Sequence, residues 1–374
     1  LGFSFPSIGS DSQDQLLAAR GLLEYGSFFN PSSQLPNSYE MPLYPLLIAL
    51  VLKFQGSLLV VSLFQTVLAA GTAVFIYCIG LRISKLVAWG ASALFVLDPA
   101  NIFYTSFIVT EPLYIFFIIA SVYVLVEYAF YNRKILLFAA GLLLGLSVMV
   151  RPVSIILIPG AALFLLLQNA PRKNFIWQAG IFLAGVLLVV FPYMLRNKII
   201  FDRWELSSVA SWQFLYSHAA HYYAYQNSIG TREAEALFHE QLRKSVPEQF
   251  KDDVDRHEAG TLFLSPYLWK ISLGYLRQDP VGYALWHGFK TIPFFVGDGL
   301  RELAQRMHLI PLTMPSVTNM IVGGNPGALS QELKKEPLAF FLFVVGAGFW
   351  LLLTILYLWG FFCGLQKRDI RPFV

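Results

Sequence analysis

Charge is scarce in this chain: Asp, Glu, Lys and Arg together make up 13% of the residues, against roughly 25% in a soluble domain. That shortage excludes a solvated globular surface over most of its length. Cysteine is nearly absent. Cys78 and Cys363 both sit in apolar runs, which excludes a disulfide framework or a cysteine zinc site and leaves each thiol as a small buried hydrophobe. No glycine-rich phosphate loop of the P-loop or dinucleotide type occurs, which argues against a nucleotide-driven pump. The net charge is only +4 and the basic residues are not clustered, so a nucleic-acid binder is excluded. There is no repeat of fixed period and no low-complexity run. The first residues show neither the n-region nor the h-region of a signal peptide. The start at Leu1 is expected to be the outer end of a segment whose preceding spanning helix lies upstream.

What is present is apolar and aromatic. The hydrophobic class reaches 56%, with 33 Phe, 18 Tyr and 8 Trp, a composition suited to lipid with amphipathic rings at its interfaces. About 20 apolar residues cross a hydrocarbon core. Runs that serve as crossings are 57–81, 86–99 (shorter, tilting into the following loop), 107–130, the pair 135–150 and 153–168, 175–194 and 337–364. A bend is expected at Arg151-Pro152, because proline lacks a donor and disfavours helix in the residue before it. The short, proline-containing stretch 42–54 is expected to be a re-entrant or interfacial helix. The fold class is therefore an all-α polytopic membrane protein. It has a transmembrane core over 1–194 that includes a first outer loop (1–56), an extracytoplasmic segment over 195–336, and a last spanning helix with a cytoplasmic tail over 337–374.

Short loops set the orientation. Arg82 and Lys85, Arg133 and Lys134, Arg172 and Lys173, then Lys367, Arg368 and Arg371 fall at every second boundary. The alternate turn 98–106 carries neither Lys nor Arg. Positive charge stays cytoplasmic, so 1–41 and 195–336 are expected on the other face.

Several ionisable groups gather on that other face: Asp11, Asp14, Glu40, Asp98, Glu111, Arg151 and Arg196. A charge inside a span costs at least about 2.5 kcal/mol even on the lenient insertion scale, so their accumulation at successive crossings is the pattern of a site. Simpler roles stand beside this one. Asp11 suits a helix cap, with Asp14 favoured by the first-turn dipole, and Arg151 and Arg196 suit snorkelling to headgroups. Glu111 is the hardest to explain that way, because a carboxylate cannot snorkel far. His218 and His221, three apart, are a weak metal signal and are expected to be structural. Trp212, Tyr216 and Tyr222 lie in an aromatic stretch that fits either a substrate cavity or an interfacial belt.

Five motifs in order resemble a known family. The stretch from Asp11 to Gly26 resembles the first outer loop of polyprenyl-phosphate-sugar-dependent glycosyltransferases of the GT-C fold, the group of protein O-mannosyltransferases and the lipid A aminoarabinose transferase. Met41 to Pro45 resembles the family's proline-tyrosine step, Thr110-Glu111 its Thr-Glu opening of a later span, Arg151-Pro152 its Arg-Pro pair, and Pro192 to Asn197 its Pro-x-x-x-Arg-Asn step. The resemblance covers about residues 8–215. Glu40 and Met41 depart from the pattern, since the family often has Arg or Lys before a first proline there.

The resemblance implies an inverting membrane glycosyltransferase moving a hexosyl or pentosyl group from a polyprenyl-phosphate donor to a hydroxyl on a lipid, glycan or protein acceptor. The site would face the extracytoplasmic side, in a plasma membrane. Asp11 is the expected general base and Glu111 the second catalytic carboxylate. Arg151 and Arg196 are the expected donor-phosphate clamp, and Glu40, Tyr44 and Asn197 are substrate-binding candidates. No cofactor is assigned, and a divalent metal is left open. The partners are the lipid-linked sugar, the acceptor and membrane lipid. The alternative is a lipid or sugar transporter without bond-making chemistry, for which no internal symmetry is found. An inactive scaffold of the same fold is the third reading.

Overall fold

The structure is a computed structural model of the 374-residue chain. It describes residues 10–30, 35–54, 56–167, 172–255, 261–291, 300, 304–305, 309–310 and 335–367. Among these, the only strand pairing is a two-residue ribbon, β1 (Phe29–Asn30) against β2 (Leu35–Pro36). Everything else of regular structure is helical, and the chain is an all-α polytopic membrane protein.

Four helices among the described residues are long and apolar enough to cross a membrane: α3 (Leu58–Leu81), α6 (Glu111–Tyr131), most of α9 (Arg172–Phe201) and the last helix, called α16 below (Pro337–Lys367). A further pair of apolar helices is long enough to cross only if its two members are taken together. α4 (Lys85–Leu97) turns by 55° into α5 (Pro99–Thr105). Asp98 makes that corner, with its carboxylate accepting from the Ala100 N–H while Pro99 occupies the first helical position, where a missing N–H costs nothing. α7 (Lys134–Val148) and α8 (Leu157–Leu167) are shorter and apolar. The bend expected between them is present: Arg151 is extended (φ −142°) and Pro152 opens a 3₁₀ turn, Pro152–Ile156. α2 (Leu43–Lys53) begins with the Leu43 N–H bonded to the Met149 carbonyl.

Helix contacts inside lipid cannot rely on expelling water, so they rest on close approach of small residues. α7 and α9 show this directly. A Cβ added to Gly141 would lie 2.0 Å from the Phe182 carbonyl oxygen, and one on Gly185 2.4 Å from that of Phe138. Several polar groups between these helices are paired through backbone carbonyls, as a bilayer favours. Gln65, fully buried, donates to the carbonyls of Tyr104 and Phe107, and Ser121 donates to the Ala140 carbonyl.

The two ends of the bundle are chemically distinct. At one end the Arg82 Nε donates to Glu127 Oε1 at 3.0 Å, tying the close of α3 to the close of α6. At the opposite end stand the start of α6, the Arg151 turn, and α1 (Ser10–Tyr25), which packs on α2.

Two expected boundaries shift. α9 runs through Pro192 to Phe201 instead of stopping near 194, because a membrane helix tolerates proline when neighbours satisfy the freed carbonyl. The third crossing starts at Glu111, not 107, because Pro112 lacks the N–H that would continue the helix backward and its ring would clash with the carbonyl four residues earlier.

After α9 the chain forms a different kind of structure. α10 (Val209–Gln213) continues through a π-helical turn, Phe214–Ala220, into α11 (His221–Asn227). α12 (Thr231–Ser245), α13 (Lys251–Asp255), α14 (Ser265–Leu276) and α15 (Pro280–Thr291) follow. Leu215, Tyr222, Phe238, Leu242, Leu264 and Leu268 form its own core.

Candidate functional site

The site is built from α1 and three turns at one end of the bundle. Asp11 lies in the first turn of α1 and is exposed; a carboxylate there is favoured by the helix dipole. Gln15, one turn later, points its Nε2 at the Glu40 carboxylate in a very close contact. Asp14 lies between them in sequence. Asp11, Asp14 and Glu40 act on one another electrostatically. Burial, then the charge of Asp14, push the Glu40 carboxyl up to about 7, against the lowering influence of Gln15 and Arg151. Asp14 is raised by burial and by Asp11. Tyr39 is raised by burial and by all three carboxylates.

Across from these carboxylates stands Arg151. Its Nη1 donates to Glu111 Oε1 at 2.8 Å, and both side chains are partly exposed. The guanidinium also lies 5.7 Å from the Tyr114 ring centroid. This pair is positioned by sequence-local features. Glu111 occupies the first position of α6, and the extended Arg151 projects from the break that Pro152 enforces. Thr110 Oγ1 lies 3.4 Å from Glu111 Oε2.

Arg196 is held differently. Nη1 donates to the Asn37 carbonyl and to Asn197 Oδ1, each at 2.8 Å, and Nη2 donates to the Phe28 carbonyl at 3.1 Å. Its guanidinium is ringed by Phe28, Tyr193 and Phe201. Arg196 therefore clamps both ends of the β1–β2 loop to α9. Asn197, fully buried, donates to the Glu205 and Leu206 carbonyls. Tyr44, also fully buried, donates to Gln65 Oε1 at 2.9 Å.

Of the residues singled out in the sequence, Asp11 and Arg151 are thus each within electrostatic reach of Glu40, and Glu111 joins them through Arg151. Arg196, Asn197 and Tyr44 have polar atoms committed to protein partners behind them. Sequence reasoning missed Gln15 and Tyr39. Gln15 carried one usable signal: it sits four residues after Asp11, on the same helix face.

The polar segment roots itself on this loop. Ser208 N–H bonds the Ser38 carbonyl at 2.9 Å, Ser207 Oγ donates to the Tyr39 carbonyl at 2.7 Å, and the Leu262 N–H donates to Ser38 Oγ at 3.0 Å. Gln213 bonds the Tyr39 hydroxyl. The aromatic trio divides. Tyr222 is buried in the segment's own core, with its hydroxyl on Asp279 Oδ2 at 2.6 Å, so it faces neither a cavity nor lipid. Trp212 and Tyr216 contact each other, and the Tyr216 hydroxyl meets His239 Nδ1 at 3.0 Å. His218 bonds Tyr283, and His221 bridges Glu235 and Lys290. Among the described residues, no group of three or more His, Cys, Asp or Glu could hold a metal ion. A small cavity of about 10 Å³ lined by Thr72, Asn101, Tyr104 and Pro112 lies between α3, α5 and α6, and Asp11, Glu40 and Arg151 do not line it.

Residues 52–197 match the family model described as dolichyl-phosphate-mannose-protein mannosyltransferase, a family of GT-C fold. The match supports the resemblance carried by the five motifs. It runs from the end of α2 through α9 and includes Glu111, Arg151 and Arg196, while Asp11 and Glu40 precede it. No curated protein and no solved structure matches the chain.

Proposed function

We propose that this chain is a membrane glycosyltransferase that moves a sugar from a polyprenyl-phosphate donor to an acceptor hydroxyl on the extracytoplasmic face, with inversion. The observation that carries this reading is the pairing of Arg151 with Glu111, with the Glu40 carboxylate in electrostatic reach both of that guanidinium and of Asp11 and Asp14 on α1. Acid and base groups from separate parts of the chain surround one cation, as displacement at a phosphate-bearing carbon requires. The family match over 52–197 supports the reaction class.

In this reading Asp11 accepts the acceptor's proton as the new bond to the anomeric carbon forms. The bond between that carbon and the phosphate oxygen breaks, and polyprenyl phosphate leaves with the electron pair. Arg151 meets the phosphate, since a guanidinium binds phosphate in a fork. Glu111 holds Arg151 before the donor arrives and orients the acceptor afterwards. Arg196 adds a second positive charge while fixing the loop that carries Glu40, and Tyr44 and Asn197 keep the same loop and its neighbours in place. Exchange of one anionic partner for another at Arg151 avoids stranding a partly buried charge.

The test is transfer by the purified protein from a polyprenyl-phosphate mannose to hydroxyl acceptors of peptide, glycan and lipid type. General-base catalysis contributes roughly 10²–10⁴-fold, so Asp11→Asn is expected to lose at least about 100-fold in turnover with folding intact. In the first turn of α1, Asn gives up only the helix dipole's preference for a carboxylate, about 0.3–1 kcal/mol. Near-normal transfer by Asp11→Asn would therefore reject the base assignment. Movement of the lipid-linked sugar across vesicles with no transfer by the wild type would favour the transporter reading.

A further inference from the structure

Two buried polar side chains, Gln15 and Tyr193, lie within reach of the partly buried Glu40 carboxylate, Gln15 through a direct contact and Tyr193 electrostatically. Gln15 is 6% exposed, and its Oε1 has no hydrogen-bond partner although its Nε2 donates to Glu40. Tyr193 is 8% exposed, and its hydroxyl likewise has none. Tyr193 packs in the same core as Ala18, one turn beyond Gln15, and Met41, the neighbour of Glu40. The Glu40 charge reaches the Tyr193 phenol. The Tyr193 ring is held edge-on by Phe28 and lies under the Arg196 guanidinium, so its hydroxyl cannot swing to solvent without unpacking both.

A buried donor or acceptor left unpaired is costly, and natural proteins keep few of them. Two beside one carboxylate, next to the assigned base, ask for a ligand with the matching chemistry. Gln15 Oε1 can only accept. Tyr193 can donate or accept, and Glu40 accepts when ionised. A phosphate offers no donor to Gln15 and would be repelled by Glu40. A polyhydroxyl ring offers both donors and acceptors and carries no charge. Residues four apart on a helix have Cβ atoms about 5–6 Å apart, close to the width of one sugar ring. A ring held at Gln15 therefore presents its reacting carbon near Asp11.

We propose that Gln15, Glu40 and Tyr193 form the subsite that recognises hydroxyls of the transferred sugar. This inference rests on the glycosyltransferase reading and adds the groups that select the sugar. A sugar hydroxyl donates to Gln15 Oε1, the Tyr193 hydroxyl donates to a second sugar oxygen, and Glu40 accepts from Gln15 and from the sugar together. The anomeric carbon then lies between the acceptor hydroxyl at Asp11 and the phosphate at Arg151.

The experiment pairs deletions on both sides. Wild type, Gln15→Met and Tyr193→Phe are assayed with polyprenyl-phosphate mannose and with its monodeoxy analogues. The cost of an unpaired buried group predicts a KM roughly 10-fold higher for each variant with intact donor, a smaller change in kcat, and loss of discrimination against one deoxy analogue. The wild type should disfavour that same analogue about 10-fold, an arm that needs no mutant to fold. A purely structural role for Gln15 or Tyr193 would lower thermal stability and leave the discrimination between intact and deoxy donors unchanged. Wild-type transfer with equal use of all deoxy analogues, or variants with unaltered KM and discrimination, would overturn the subsite alone. Absence of any transfer by the wild type would overturn it together with the function it rests on.

Discussion

The membrane bundle and the segment from α10 to α15 solve the packing problem in opposite ways. In the bundle, α7 and α9 approach until the Gly141 and Gly185 positions touch opposing carbonyls, while Leu, Val and Phe side chains on α3, α9 and α16 remain exposed. In the segment, Leu215, Tyr222, Phe238, Leu242 and Leu268 turn inward, and charged groups such as Arg243 and Asp255 pair at the surface. Burial of apolar surface drives the second kind of packing; the first depends on fit and on satisfied backbone. α15 shares traits of both. Tyr283, Trp286, His287 and Lys290 lie on its half-buried face, and Val281, Leu285 and Phe289 on the other are exposed, at 69%, 69% and 73%. What joins the two regions is the loop around Ser38, held from one side by Arg196 and from the other by Ser207, Ser208 and Leu262.

The largest effect is expected where the regions join. Arg196→Ala strands the Asn37 and Phe28 carbonyls, and losing several hydrogen bonds to one charged group should cost about 3–5 kcal/mol. Protease sensitivity of both regions should rise together. If only activity falls, Arg196 acts on substrate alone and the seam does not depend on it.

Gly141→Val should damage the bundle only. The added Cβ meets the Phe182 carbonyl, a backbone atom that cannot step aside; overpacking of this kind costs about 1–3 kcal/mol or more. Thermal unfolding in detergent, followed by cysteine accessibility in α7 and separately in α14, should show loosening of α7 first. Equal loosening of both would erase the distinction between the regions.

Tyr222→Phe should weaken the segment only, by about 1–2 kcal/mol, since it removes the bond to Asp279 and leaves that carboxylate one partner short. Hydrogen exchange should quicken in α11 and α14 and stay unchanged in α7.

The smallest expected effect is a pH response confined to the segment. Burial, then His287, Lys290 and His221, lower His218 to about 4. Tyr283 and Phe214 also face its ring. Its folded value lies below its unfolded one, so the folded state binds fewer protons between them. The contribution is present above about 6.5 and is lost as pH falls toward 4. Half-exposed as it is, His218 should account for only about 1 kcal/mol after screening. His218→Asn should flatten the fall in segment stability over that range; an unchanged pH profile would assign the fall to other groups.

Much of the site could be read along the chain because each clue was local. Glu111 opens an apolar run, Arg151 precedes a proline that must break a helix, and Asp11 lies in the first turn of α1. The remaining roles were invisible for an equally physical reason. Nothing near Arg196 in sequence says that its partners are the carbonyls of Phe28 and Asn37, more than 150 residues away. Tyr44 and Asn197 have the residue types of substrate ligands, yet burial commits them to Gln65 and to the turn after α9. Gln15 looked like one more polar residue on a short helix until Glu40 was placed against it.

The sequence by itself determined that the chain lives in a membrane and that its ionisable groups sort to two ends. Both follow from the cost of putting each residue into hydrocarbon, which is counted residue by residue. Only the tertiary structure decided which of those groups meet. That depends on how closely α7 and α9 pack and how α1 lies on α2, contacts between distant residues whose geometry no local free energy specifies.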